Sequence, residues 1–341
     1  MIEQMIEIFY PYYISDKGSI TGLARDLCTN LDKSRFKPYA FTNENTGIKG
    51  VELFRIPTGD FYLKMGLIPF YSIKNYDLIQ TGPQYAHLLS RSLEKILTNT
   101  KHIHTLWAPP ESPNQATRIL YKEADCVVAV SEYVANLARK NIGDRDIEVI
   151  YNGIPMDTFR PLNLEKEGPP MVLFVGNLVD FQRPQHVYRL AEMMKEVDFV
   201  VKGTGPLLNE AKKKARKLEN LKIITEWLSV DDLVELYNRA DIYFQPSIKE
   251  GFGLVTAEAM ACETPAIGAD ITATPEVIGN KDLLFEPDNL EQAEKIIRRL
   301  IEDEKLRKKL GKKSRSRIKN NFSFRKMISD YSKLYEVLVI E

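Results

Sequence analysis

The chain predicts an α/β fold of two doubly wound domains, and three features of its 341 residues carry that expectation. Short apolar runs alternate with stretches of helical spacing along both halves, as in a parallel sheet with helices on both faces. Glycines close several of those runs, at Gly82, Gly176 and Gly203. The alternation pauses once, at Arg160 to Pro170, which is polar and rich in Pro and Glu as a linker is, and a new series of strands starts at Met171.

In the first half, Met5 to Phe9 reads as a strand, Tyr10 to Gly18 as a loop and Ser19 to Leu31 as a helix. Short strands follow near Tyr39 to Thr42 and Leu53 to Ile56. Leu78 to Thr81 is a strand stopped by Gly82-Pro83, and a helix is expected over Gln84 to Leu97. His102 to Leu106 and Cys126 to Val130 are further strands. Ser131 is placed to cap a helix from Glu132 to Asn141, because its hydroxyl can accept a first-turn N–H that has no helical partner. In the second half the strands are Met171 to Val175, Asp198 to Lys202, Leu221 to Ile224, Ile242 to Gln245 and Pro265 to Gly268. The last helix, Ser323 to Val339, carries a Tyr331, Leu334 and Leu338 stripe that must be buried against something.

Composition narrows the class. With 44% hydrophobic and 28% charged residues the chain reads as a globular protein, and 47 basic against 47 acidic residues give no field that favours nucleic acid. Cys28, Cys126 and Cys262 lie far apart, each in or beside an apolar segment, which suggests buried reduced thiols and no metal site. No signal peptide is apparent and no apolar run approaches the ~20 residues that span a bilayer, so a cytoplasmic location is expected. Two segments break the charge balance: Lys212 to Lys217, and Lys305 to Lys319, whose Lys308, Lys309, Lys312, Lys313, Arg315, Arg317 and Lys319 have no acidic neighbour between them. They are solvated helix faces or surfaces for peripheral contact with an anionic membrane.

The segment from Glu250 to Ala261 carries the most chemistry. Gly251 and Gly253 allow a tight turn, and the helix that starts at Leu254 presents unpaired N–H groups near Gly253, Leu254 and Val255, a site for an anion such as a diphosphate. Glu258 lies too far along that helix to cap it, but its carboxylate can accept hydrogen bonds from two adjacent hydroxyls, such as those of a ribose. Glu250, before the turn, can face a sugar. The strands on either side put this turn at the carboxyl edge of a parallel sheet, where open α/β folds bind ligands.

Taken together, Glu250 with Glu258, the run Ala124 to Ser131, the turn Tyr151-Asn-Gly-Ile154 with Phe159-Arg-Pro161, and Thr274-Pro-Glu-Val-Ile278 resemble the family-four retaining glycosyltransferases. Tyr10-Pro-Tyr-Tyr with Lys17-Gly18-Ser19 is similar to the acceptor-side glycine loop of that family. The resemblance implies the GT-B fold: Rossmann-like domains at residues 1–161 and 170–322 facing a cleft, with a final helix, 323–341, crossing back to the first. It implies that Glu258 holds ribose, that Gly253, Leu254 and Val255 meet the diphosphate, and that Glu250 and Phe252 contact the donor sugar. Gly18 would border the diphosphate from the first domain, with Ser19 on the acceptor side, and Leu228 would lie near the base. The family's proposed mechanism uses no metal and no cofactor beyond the nucleotide-sugar substrate. The leaving diphosphate takes the acceptor's proton on the face from which the sugar departs, so the protein positions groups and stabilises charge.

The chain departs from this pattern where the diphosphate needs cations. After Gly176 the family usually carries Arg and then Lys; here those positions hold Asn177 and Gln182. Arg183 or Lys202 stands near enough in sequence to supply the charge, or each has a structural role. Trp107 occupies the place of a usual histidine and can stack on a sugar face; His104, three residues earlier on the strand, belongs to the same acceptor or sugar side or points toward the core. Thr272-Ala273 stands where paired glycines are common, and Glu263 replaces the usual glycine before Thr264-Pro265. The leading expectation is a hexosyl transfer from a nucleoside diphosphate sugar to a glycan, lipid or small-molecule acceptor. A non-hydrolysing nucleotide-sugar epimerase and a non-catalytic sugar- or nucleotide-binding relative are the alternatives.

Overall fold

The computed structural model describes residues 5–13, 19–42, 48–55, 76–82, 100–166 and 168–340. The chain divides into two compact units, Met1–Tyr151 with Met327–Glu341, and Asn152–Lys326. The expected helix over Gln84 to Leu97 and the expected loop residue Gly18 lie outside the described residues.

The first unit holds a seven-stranded parallel sheet. Its strands are β1 (Ile6–Tyr13), β2 (Phe36–Thr42), β3 (Glu52–Arg55), β4 (Leu78–Thr81), β5 (Lys101–Leu106), β6 (Cys126–Ala129) and β7 (Glu148–Val149), in the order β3-β2-β1-β4-β5-β6-β7. β1 continues through Tyr13 where the sequence suggests a loop from Tyr10. Tyr10 pairs with Ala40 and Tyr13 with Phe41 across a bulge, which lets Pro11, with no N–H to give, pass along the strand. Helix Gln115–Glu123, unheralded by the apolar pattern, is capped by Asn114, whose side chain accepts from the Thr117 N–H. Ser131 caps helix Glu132–Ile142 as expected, accepting from the Val134 N–H at 3.1 Å.

The second unit holds a six-stranded parallel sheet in the order β10-β9-β8-β11-β12-β13. These strands are β8 (Met171–Val175), β9 (Asp198–Lys202), β10 (Leu221–Ile224), β11 (Ile242–Gln245), β12 (Ala266–Ala269) and β13 (Leu284–Phe285). Val172, Leu173, Phe174, Phe199, Ile242, Tyr243 and Phe244 are fully buried, as continuous apolar strands covered on both faces require. Strand order reverses between β8 and β11, so their carboxyl ends flank a topological switch point.

The boundary between the units falls at Tyr151, ten residues before the sequence-based limit of 161. The reason is local bonding within the second unit. The Ile154 N–H donates to the Phe322 carbonyl at 2.8 Å and the Ile154 carbonyl accepts from the Phe324 N–H at 3.0 Å. Arg315 donates to the Phe159 carbonyl at 2.9 Å, and the supposed linker is held too, with the Leu162 N–H on Asn238 Oδ1 at 2.6 Å. The last helix spans Phe324–Ile340, and from Met327 onward it clusters with the first unit.

Of the expected stripe only Tyr331 is buried, while Leu334 and Leu338 are half-buried, and the face that packs inward is Met327, Tyr331 and Tyr335. The Tyr335 hydroxyl donates to Gln80 Oε1 and lies 3.0 Å from the Tyr10 hydroxyl, while Gln80 Nε2 donates to Thr105 Oγ1 at 3.0 Å. Replacing Tyr335 by Phe deletes a shared hydroxyl in a dry network, so Tyr335→Phe should lower stability by about 1 to 3 kcal/mol in urea denaturation. An unchanged midpoint would mean that the phenol network does not hold the helix.

Candidate functional site

The carboxyl edge of the second sheet gathers the residues singled out in the sequence. The turn after β8 is locked to the turn after β9: the Gly176 N–H donates to the Lys202 carbonyl at 3.0 Å and the Leu178 N–H to the Thr204 carbonyl at 2.8 Å. Gly203 has to be glycine here, since a Cβ would stand 1.9 Å from the Gly176 carbonyl oxygen. Asn177 is exposed at the tip of this turn and a short 3-10 turn, Asp180–Gln182, follows.

After β11 the loop 246–253 folds against that 3-10 turn. The Ile248 N–H donates to the Phe181 carbonyl at 2.9 Å and Ser247 Oγ reaches the same carbonyl at 3.2 Å. Glu250 is thereby brought beside two amides: Gln182 Nε2 donates to its Oε1 at 2.9 Å and Gln245 Nε2 at 3.1 Å. Burial raises the Glu250 carboxyl above its ordinary range, opposed by hydrogen bonds from Gln182, Ser247 and Gln245.

Gly253 caps the helix Leu254–Ala261 at φ 93°, a left-handed conformation that an L side chain resists. Leu254 and Val255 follow as its first two residues, half-buried, with backbone N–H groups of the kind that bind anions at a helix start. The Phe252 ring is 3% exposed and meets Phe322 edge-on at 5.4 Å. Glu258, farther along the helix, accepts from the Tyr237 hydroxyl at 2.8 Å, and burial pushes its carboxyl up to about 7.

The two proposed substitute cations differ. Arg183 takes a left-handed conformation at φ 52° and its Nε lies 3.4 Å from Asp288 Oδ1, an oxygen that His186 Nε2 also approaches at 3.1 Å. Arg183 is thus paired with Asp288 by charge, its buried Nε making no hydrogen bond. Lys202 ends β9 beside the Gly176 turn, half-exposed and in no ion pair among the described residues. It contributes to holding the Glu226 carboxyl low, after the larger effect of the Glu226 and Thr225 backbone N–H groups. Leu228 is half-buried two residues on, and Trp227 between them is 78% exposed.

In the first unit, His104 lies inside β5, 1% exposed, with Nδ1 3.1 Å from Thr81 Oγ1. Burial pushes it down to about 4, so it is a neutral residue of the core near pH 7, the second of the two places the sequence allows it. Trp107 follows β5 half-buried, and Ser19 begins the helix Ser19–Asn30. Gln245 and Tyr237 are the residues that sequence reasoning missed. Gln245 had a signal, a polar side chain closing an otherwise apolar buried strand five residues before Glu250; Tyr237 had none.

Two departures noted in the sequence now acquire a cost. Glu263 sits at φ 64° and Thr272 at φ 58°, positions where glycine is at ease and a β-branched residue is strained. Among the described residues no group of three or more His, Cys, Asp and Glu side chains could hold a metal ion.

Residues 155–317 match the family described as Glycosyl transferases group 1, and residues 24–158 match Glycosyltransferase Family 4. The chain belongs to the group 1 glycosyltransferases. Two uncharacterized glycosyltransferases of Methanocaldococcus jannaschii are among its relatives. One is 27% identical over 65% of this chain but only 61% of its own length, and the other is 29% identical over 98% of this chain and 97% of its own. The fold is GT-B. HepE of Anabaena, solved in complex with UDP-glucose, superposes with a TM-score of 0.81 at 16% identity, covering 97% of this chain and 100% of that one.

The raised Glu258 carboxyl makes a pH-dependent contribution to stability. Its folded pKa of about 7 exceeds the ordinary 4.5, so between those values the folded state holds a proton that the unfolded state has lost, and stability falls as pH rises. Glu258→Gln removes that titration. After allowance for solvent screening, the variant should gain about 1 to 3 kcal/mol over the parent at pH 8 relative to pH 4.5. Thermal denaturation at both pH values checks it; equal pH profiles would mean that Glu258 ionises freely in the fold.

Proposed function

We propose that this glycosyltransferase moves a hexosyl group, with retention of configuration, from a nucleoside diphosphate sugar to a glycan, lipid or small-molecule acceptor. The observation that carries the reading is the placement of Glu250, Glu258 and the Gly253-capped helix start at one switch-point edge. In this reading the N–H groups at Gly253, Leu254 and Val255 take the diphosphate, Glu258 takes the ribose diol and Glu250 faces the sugar. A fold neighbour solved with UDP-glucose supports a nucleotide-sugar donor. With Arg183 engaged by Asp288, Lys202 is the cation best placed to offset the charge that grows on the leaving diphosphate. The same leaving group then takes the acceptor's proton, and the protein contributes orientation and electrostatics.

Donor turnover by the purified chain, with UDP-glucose and other nucleoside diphosphate hexoses, tests this. Glu258→Ala and Glu250→Ala should each lower kcat/KM by about 100-fold, since each hydrogen bond to a charged group is worth ~1.5 to 3 kcal/mol. Transfer that survives both changes would displace the site. Formation of an epimer without acceptor would favour the isomerase reading, and nucleotide binding without turnover the non-catalytic one.

We further infer that helix Glu304–Asn321 presents its lysines to an anionic membrane surface. Its cations are sorted by type. Arg307, Arg315 and Arg317 turn inward and donate to carbonyls of Leu300, Phe159 and Val277 at 2.9, 2.9 and 3.0 Å. Lys305, Lys308, Lys309, Lys312 and Lys313 are exposed along one shallow depression, with Glu304 pairing Lys308 at 2.6 Å. Among the described residues no helix is long and apolar enough to cross a membrane, so attachment here would be electrostatic. Replacing Lys308, Lys309, Lys312 and Lys313 by Glu should abolish co-sedimentation with phosphatidylglycerol vesicles at low salt, at ~1 kcal/mol per lysine. Parent protein that stays in the supernatant would end this reading.

A further inference from the structure

The position of Gln182 poses a chemical question. By resemblance it stands where a lysine meets the donor diphosphate, yet its amide N–H points at Glu250 Oε1, 2.9 Å away. A second amide, from the fully buried Gln245, reaches the same oxygen at 3.1 Å. We propose that Gln182 and Gln245 are positioning residues, a two-amide clamp that aims Glu250, and that Gln182 is not a ligand of the donor phosphates. The inference rests on the glycosyltransferase reading of the site given above.

Three features support it. First, the clamp is built from both sides of the switch point: Gln182 comes from the loop after β8 and Gln245 from the end of β11. The bonds from Ile248 and Ser247 to the Phe181 carbonyl staple these loops together, so the geometry does not depend on one flexible side chain. Second, the far end of the Gln182 amide is confined. Its Oε1 lies 3.0 Å from where a Cβ on Gly176 would stand, so a glycine at 176 leaves room for the amide to lie across to Glu250. Third, an amide differs from an ammonium in what it does to a carboxylate. It donates a directed hydrogen bond without adding a full charge, so Glu250 is oriented yet remains easier to protonate than beside a lysine.

The groups facing Glu250 are few enough to test. Tyr243 approaches from β11, Ser247 and Lys249 belong to its own loop, and the 3-10 turn contributes Gln182 between Phe181 and the Asp288-bound Arg183. Loss of either amide should therefore leave a carboxylate with fewer donors and a still higher titration midpoint, while a lysine at 182 should lower it.

The carboxyl carbon of Glu250, observed in ligand-free protein labelled with carbon-13 glutamate and assigned with Glu250→Gln, gives the decisive signal. Gln182→Ala and Gln245→Ala should raise its midpoint and Gln182→Lys should lower it. Midpoints that stay put in both alanine variants would overturn the clamp. A second arm separates aim from phosphate binding. Gln182→Ala should hold the UDP dissociation constant within twofold of the parent and lower kcat for UDP-glucose tenfold or more. UDP binding weakened tenfold would make Gln182 a phosphate ligand and refute the proposal. Parent protein that binds no UDP would count against the donor reading, while the carboxyl titration still decides the clamp.

Discussion

The second unit depends on holding two partly or wholly dehydrated carboxylates at one sheet edge with little positive charge beside them. Taking a carboxylate out of water is costly unless hydrogen bonds replace its hydration. Here the replacements are neutral: amides of Gln182 and Gln245 for Glu250, and the Tyr237 phenol for Glu258. Neutral donors orient a carboxylate but offset only part of its desolvation, which is why both groups remain raised. Hydroxyl donors are the groups that could add to these hydrogen bonds without adding charge.

Much of this was legible in the sequence because it depends on short-range rules. The apolar runs Met171 to Val175 and Ile242 to Gln245 are strands with those bounds, since a run buried on both faces has no other use for its length. Ser131 before Glu132 announces a helix start because a hydroxyl at that point satisfies a specific N–H. The carboxylates and the glycine turn were legible for the same reason, whereas the lack of cations at Asn177 and Gln182 showed only against the family resemblance. What escaped depends on contacts distant in sequence. No local pattern tells that Gln182 lies against a residue 68 positions later, or that Tyr237 donates to Glu258 across 21. The bulged extension of β1 to Tyr13 was missed because its pairing partner lies in β2, and the boundary at Tyr151 because it is decided by Phe322 and Arg315.

Arg183 shows how a plausible substitute can be occupied by another task. It begins helix Pro184–Met193 in a left-handed conformation, beside Asp288, which is itself at φ 65°. The left-handed backbone at both residues sets the direction from which the two side chains start, while the ion pair itself, half-exposed at 3.4 Å, adds little. His186, packed under the same carboxylate, adds a third group to the arrangement. Lys202 is in no such ion pair among the described residues, and its pairing with Val175 at the end of β9 fixes where its backbone stands.

The glycine replacements at 263 and 272 follow the same logic of local strain held by surroundings. Glu263 sits in the left-handed region just before Thr264, whose Oγ1 donates to the Tyr237 carbonyl at 2.7 Å. That bond fixes the backbone of the residue whose hydroxyl supports Glu258. Thr264, next to Glu263, and Glu258 thus both bond to Tyr237, one at its carbonyl and one at its hydroxyl. Thr272 lies in the loop after β12, where its Oγ1 donates to the Ile271 carbonyl at 2.7 Å and stabilises the turn that a glycine would leave looser. A β-branched residue there narrows the conformations open to the loop where a glycine pair would leave it freer.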